Sequence, residues 1–160
     1  MNPIRWTVLA GVLVAAGACS DSTAPTSSAR FGDIHLTVAA SSREVLRGSL
    51  LTFHVELVNE GSSEATLHFK DSCQIVFTIQ NALGEIVLPP GGEQGCLTVL
   101  TQLTLLPGQP VVREYVWTAG STTFYLGEPP PLLPAGSYFF SAAVPSDEAT
   151  LRVTIQVNLK

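Results

Sequence analysis

The sequence predicts an all-β protein, an antiparallel β-sandwich of about seven to nine short strands, and three observations carry that prediction. Leu51, Phe53, Val55 and Leu57 alternate with Thr52, His54 and Glu56, and Leu151, Val153, Ile155 and Val157 alternate with Arg152, Thr154 and Gln156. A period of two puts each apolar set on one face of a strand and each polar set on the other. From Phe31 onward no stretch long enough for a helix shows a 3.6-residue period. Turn chemistry punctuates the chain at Asn59-Glu60-Gly61-Ser62, Asn81-Ala82-Leu83-Gly84, Pro89-Pro90-Gly91-Gly92, Pro107-Gly108-Gln109-Pro110 and Pro145-Ser146-Asp147-Glu148. Gly there supplies positive φ and Pro excludes a central strand. A barrel of the same strands stays open as an alternative, because alternation does not decide whether a sheet closes.

The first element lies outside the fold. Arg5 precedes an uncharged run from Trp6 to Ala18, which falls short of the roughly 20 residues a membrane-spanning helix needs. Residues 1–18 therefore read as a signal peptide. Ala16-Gly17-Ala18 leading into Cys19 resembles a bacterial lipobox with Ala where Leu is usual, so Cys19 is expected to be lipidated and to anchor the chain in a bilayer through its acyl chains. The alternative is ordinary cleavage after Ala18, since Ala16 and Ala18 also satisfy an A-x-A site. Residues 19–30 are Ser- and Thr-rich, with no large apolar side chain to offset ordering entropy, and read as a flexible tether. Residues 31–160 form the single domain. This leader places the chain in the bacterial cell envelope, as an outer-membrane lipoprotein facing the periplasm by virtue of Ser20 after the cysteine, or else secreted or at the cell surface.

The strands follow in order at 34–39, 51–57, 65–69, 74–80, 85–88, 97–105, 111–118, 137–144 and 151–157. Residues 119–135 contain Glu128-Pro129-Pro130-Pro131, too Pro-rich for a central strand, and read as an extended connection across an edge or end of the sandwich. Trp117 is expected in the core. Phe124 and Tyr125 beside Pro129, Pro130 and Pro131 make the candidate partner-binding loop, because aromatic side chains on a stiff segment lose little entropy on docking.

Setting Cys19 aside leaves Cys73 and Cys96, an even pair that an oxidising compartment would join in a disulfide. Such a bond closes a loop of roughly 24 residues and is worth about 3 kcal/mol on chain-entropy grounds. A thioredoxin-like redox motif would place two cysteines at C-x-x-C spacing, and these are far apart. His35, His54 and His68 are the only histidines and are well separated, so surface histidine is preferred to a metal site.

Catalysis finds no support in the pattern. His68, Asp71 and Ser72 lack the Gly-x-Ser-x-Gly elbow of a hydrolase. Glu60, Glu64, Asp147 and Glu148 lack the spacing of a calcium loop. No cofactor is expected. Apolar residues make up 46% of the chain and charged residues 13%, and the net charge is −5 with the basic residues scattered, which disfavours nucleic acid as a partner.

The order of elements resembles the intracellular proteinase inhibitor family of Bacillus. Val55-Glu56-Leu57-Val58-Asn59 followed by Ala65-Thr66-Leu67-His68-Phe69 is similar to the family's Val-x-Asn strand end and its Leu-x-Phe strand. Ala82-Leu83-Gly84-Glu85-Ile86-Val87, Leu105-Leu106-Pro107-Gly108, Tyr115-Val116-Trp117 and Leu133-Pro134-Ala135-Gly136-Ser137-Tyr138 follow in the family's order. The resemblance spans about residues 50–145 and implies an immunoglobulin-like sandwich. This sequence departs from the pattern in its cysteine pair and its leader, and no inhibitory residue carries over.

Two functional expectations follow. One is a non-catalytic envelope binding module with a protein partner, such as a protease that it inhibits. The other is a structural accessory lipoprotein of a membrane-associated assembly.

Overall fold

A computed structural model describes residues 24–92, 94–120 and 132–160. Their regular structure is all β: eleven strands, β1 Thr26–Phe31, β2 Ile34–Ala40, β3 Glu44–Val45, β4 Leu50–Asn59, β5 Ala65–Phe69, β6 Val76–Asn81, β7 Ile86–Leu88, β8 Thr101–Leu105, β9 Val111–Thr118, β10 Gly136–Pro145 and β11 Thr150–Leu159. Among the described residues no helix is long and apolar enough to cross a membrane.

Alternation builds the two main sheets. In β4 the side chains of Leu51, Phe53, Val55 and Leu57 are fully buried while His54 and Glu56 are exposed, and β11 repeats the pattern with Leu151, Val153, Ile155 and Val157 inward. One sheet runs β1-β2-β4-β9 and a second runs β3-β11-β10-β6-β7, all antiparallel except the short β3 beside β11. Their inner faces meet in one core, where Phe53 of β4 stacks on Phe140 of β10 at a centroid distance of 4.0 Å. Strand β10 is buried on both faces from Phe140 to Val144 because it lies between β11 and β6 and carries small residues, Ser141 and Ala143, on its outward side. The Ser141 hydroxyl meets that of Thr154 at 2.7 Å, which satisfies the buried polar group.

The expected two-sheet immunoglobulin-like sandwich of seven to nine strands needs correction, since the described strands form three hydrogen-bonded sheets. The reason is local. The β4–β9 ladder runs to Leu57 opposite Val111, then breaks at Asn59, which bridges Pro107, and resumes as β5 against β8 from Ala65 opposite Leu105. Pro107 cannot donate to a ladder and the 60–64 turn intervenes, so the chain bends and starts a separate two-stranded sheet. Leu67, Phe69 and Leu105 of that sheet still point into the common core.

Two further differences concern the N-terminal segment and the strand before β9. Residues 26–30, expected within a flexible tether, pair with β2 from Thr26 opposite Ala39 to Phe31 opposite Ile34. Backbone bonding compensates there for the scarcity of large side chains, with Ala29 packed on the core and Arg30 paired with Glu60. The strand read at 97–105 begins only at Thr101. Leu97, Val99 and Leu100 alternate or adjoin as strand residues would, yet all three face outward.

Candidate binding surface

Several local devices fix the loops at the ends of the sheets. Asn59 is almost fully buried at the last position of β4. Its side-chain amide donates to the carbonyls of Ser63 at 2.7 Å and Leu105 at 3.0 Å, its side-chain oxygen accepts the Gly61 N–H at 2.9 Å, and its own carbonyl accepts from Gly108 at 2.8 Å. A Cβ on Gly61 would lie 2.8 Å from an Asp33 carboxylate oxygen, so this turn accepts no larger residue without movement. At the opposite end of β10 the Tyr138 hydroxyl donates to the Pro134 carbonyl at 3.0 Å, the corner arrangement that recurs in Greek-key sandwiches. Burial raises the pKa of this phenol above its ordinary value.

Each of the three histidines faces a glutamate. His35 Nδ1 lies 3.3 Å from Glu60, His54 Nδ1 lies 3.1 Å from Glu114, and His68 Nδ1 lies 2.6 Å from Glu148. His54 and His68 are on different sheets and do not converge. The His68 pair is the most elaborate, because the Glu148 carboxylate also accepts the His68 backbone N–H at 3.0 Å and the His68 carbonyl accepts from Asp147 at 2.8 Å. The side-chain bond to His68, followed by the bond from the His68 backbone N–H, holds the Glu148 carboxyl down at about 2. The contact ties β5 to the β10–β11 turn.

Cys73 and Cys96 are joined in a disulfide. Around it, the Asp71 carboxylate accepts the Cys73 N–H at 2.8 Å, the Asp71 carbonyl accepts the Thr101 hydroxyl at 2.7 Å, and Ser72 and Leu97 exchange two bonds, Ser72 N–H to the Leu97 carbonyl at 3.0 Å and Leu97 N–H to the Ser72 hydroxyl at 2.9 Å. Asp71, Cys73 and Cys96 place three potential metal ligands together, but the sulfurs are bonded to each other and offer no thiolate. His68, Asp71 and Ser72 thus serve three separate structural contacts and form no catalytic chain. Glu60, Asp147 and Glu148 are each occupied by a basic partner, Glu60 by Arg30 and His35, Asp147 by Lys70 and Glu148 by His68.

Between the edge strands β9 and β7 the core opens into a cavity of about 200 Å³ lined by Phe53, Phe77, Ile79, Leu88, Tyr115 and Trp117 among others. It is almost entirely apolar. Tyr115 stands at this lining with its hydroxyl 3.5 Å from the Ile75 carbonyl, and its pKa is raised by burial against the opposing effect of Arg113.

Cys19 and the candidate partner-binding loop with Phe124, Tyr125, Pro129, Pro130 and Pro131 lie outside the described residues. What the described surface offers instead is the short segment from Leu97 to Leu100. Sequence patterning placed it in a strand because its apolar residues match one, and the signal that separates the two readings is the adjoining cysteine, whose disulfide holds the segment in place without burying it.

A family model described as intracellular proteinase inhibitor matches residues 36–148, from β2 into the β10–β11 turn. The chain belongs to this family. Its members are inhibitors rather than enzymes, and the present chain is likewise not an enzyme. The intracellular designation of the family overturns the expected placement in the cell envelope, whether at the outer membrane, secreted or on the cell surface. That placement rested on the leader alone, in residues that the structure does not describe. No curated protein sequence matches the chain. Among solved structures, a β-glucosidase from Erythrobacter marinus aligns over 86% of this inhibitor-family chain at 11% identity and a TM-score of 0.46. A β-glucosidase from Listeria innocua aligns over 78% at 16% identity and a TM-score of 0.43, or 0.42 in a second structure. The chain spans 16% of the length of each of these enzymes.

Proposed function

We propose that this chain is a non-catalytic binding module that occupies a protease and blocks it. The observation that carries the reading is the inhibitor-family match across residues 36–148, which takes in nine of the strands from β2 to β10. Its physical support is twofold. The loops at the ends of the sheets are held by buried or bidentate contacts, as at Asn59, Cys73–Cys96 and His68–Glu148, and pre-formed surfaces bind without a large ordering cost. In addition, the groups that could perform chemistry are committed to structural contacts, which suits a protein that resists a protease rather than one that reacts.

The test is a titration of the whole chain against a panel of serine and metallo-endoproteases, reading both residual protease activity and intactness of the chain. Stoichiometric, saturable loss of one enzyme's activity with the chain intact is the expected outcome. Rapid cleavage of the chain by every protease, or no inhibition at large molar excess, would sink the reading.

A further inference from the structure

We infer that the segment Leu97-Thr98-Val99-Leu100 is the part of the chain that enters the substrate cleft of the protease, with Leu100 filling an apolar primary pocket. This rests on the inhibitor reading above and goes on to name the contact and the class of enzyme.

Leu97, Val99 and Leu100 are 73%, 50% and 82% exposed, three large aliphatic side chains within four residues. Isolated exposed leucines are ordinary, and Leu83 at the tip of the β6–β7 hairpin is one. Three together on one short loop are not, and mark a surface that another molecule covers.

The segment is also fixed at both ends. On its N-terminal side Cys96 is bonded to Cys73, and Leu97 is bracketed by its two bonds to Ser72. On its C-terminal side Thr101 begins β8 opposite Phe69 and its hydroxyl bonds the Asp71 carbonyl. One short stretch, residues 71–73, thus grips both ends of the loop. The Val99 N–H bonds the Leu97 carbonyl at 2.8 Å, which sets the turn between the grips. A loop so held needs little further ordering on binding.

Charge adds a third argument. The chain is acidic at −5, yet residues 94–112 carry no formal charge. The side chains of Leu97 to Leu100 can therefore enter an apolar pocket without carrying an ion into it.

The anchors also explain how such a segment would resist a protease whose cleft it fills. Hydrolysis of the Leu100–Thr101 bond adds water across that amide, giving a carboxylate at Leu100 on the stump held through Cys96 and Leu97 and an amine at Thr101, which is held by its place opposite Phe69 and its hydroxyl bond to Asp71. Both new ends stay side by side, so their rejoining competes with departure.

The experiment compares the whole chain with Leu100→Asp, Leu100→Arg and, as a control of equal exposure elsewhere, Leu83→Asp. Each is titrated against a subtilisin-type protease, which takes apolar residues, and a trypsin-type protease, which takes Arg. Thermal melting of each variant confirms folding, which surface positions leave intact. The expected result is inhibition of the subtilisin-type enzyme by wild type and by the Leu83 variant, weakened ~30-fold or more by Leu100→Asp. Leu100→Arg is expected to lose that inhibition and to gain binding to the trypsin-type enzyme, an exchange that no purely structural role produces. Inhibition that persists unchanged in both Leu100 variants would overturn the assignment of this segment while leaving the inhibitor reading in place. Absence of inhibition by wild type throughout would overturn both.

Discussion

The buried side-chain amide of Asn59 donates to the backbone carbonyl of Leu105 at 3.0 Å, across the point where one ladder of strands ends and the next begins. Leu105 is the last, buried residue of β8, and a buried carbonyl left without a donor is costly. The same side chain satisfies Ser63 and Gly61.

Replacing Asn59 with Ala is therefore expected to destabilise the fold by about 2–4 kcal/mol, since three bonds go and the Leu105 carbonyl stays buried while water reaches only Ser63 freely. Asn59→Asp should cost at least as much at neutral pH, because a carboxylate oxygen would then face two carbonyls. Urea unfolding midpoints of the two variants against wild type check this, and a loss below 1 kcal/mol in both would show that water takes over the role.

Phe140 sits between Phe53 and Phe77, at centroid distances of 4.0 and 5.9 Å. Phe140→Ala should cost about 3–5 kcal/mol, the range for emptying an aromatic core position. The half-buried neighbour Phe139, on the opposite face of β10, should cost clearly less on the same substitution. Equal losses at the two positions would mean that the facing of β10 is wrong.

Removing the disulfide with Cys73→Ser and Cys96→Ser together is expected to lower stability by about 3 kcal/mol and the melting temperature on the order of 10 °C. Reductant should do the same to wild type and nothing to the double variant. Differential scanning calorimetry with and without reductant makes the comparison. Protease inhibition should fall as well, because residues 97–100 lose one of their grips.

Glu148 gives the pH dependence. Its folded carboxyl titrates at about 2 against an ordinary value of 4.5, held down first by the side-chain bond to His68 and then by the His68 backbone N–H. A depressed carboxyl contributes stability that is present above the ordinary value and is lost as pH falls from there through about 2. Glu148→Gln should therefore be less stable than wild type at pH 6, and the difference should shrink between pH 4.5 and 2. A gap between the two unfolding curves that stays constant over this window would remove Glu148 as its source.

The fold was legible wherever burial was one-sided. Strands β5 and β9 fall at the predicted bounds, and β4 and β11 extend the predicted runs by a few residues. Strand β1 was hidden because its Thr, Ser and Ala residues carry no amphipathic signal and its pairing with β2 is a matter of backbone bonds. Strand β3, two residues long and parallel to β11, is below what any period can reveal. The segment at Leu97 failed in the opposite sense. Its apolar residues match the composition of a strand, and sequence cannot tell an inward Leu from an outward one when a disulfide, rather than burial, holds the chain in place.

The grip of residues 71–73 on the loop has a mechanical consequence. A partner pulling on Leu100 loads the chain along two routes at once: through the Cys96–Cys73 bond toward β6, in the five-stranded sheet, and through Thr101 into β8, which is paired lengthwise with β5. Along the first route the tension meets a covalent link. Along the second it acts as shear on the whole β5–β8 ladder, so its bonds must yield together rather than one after another.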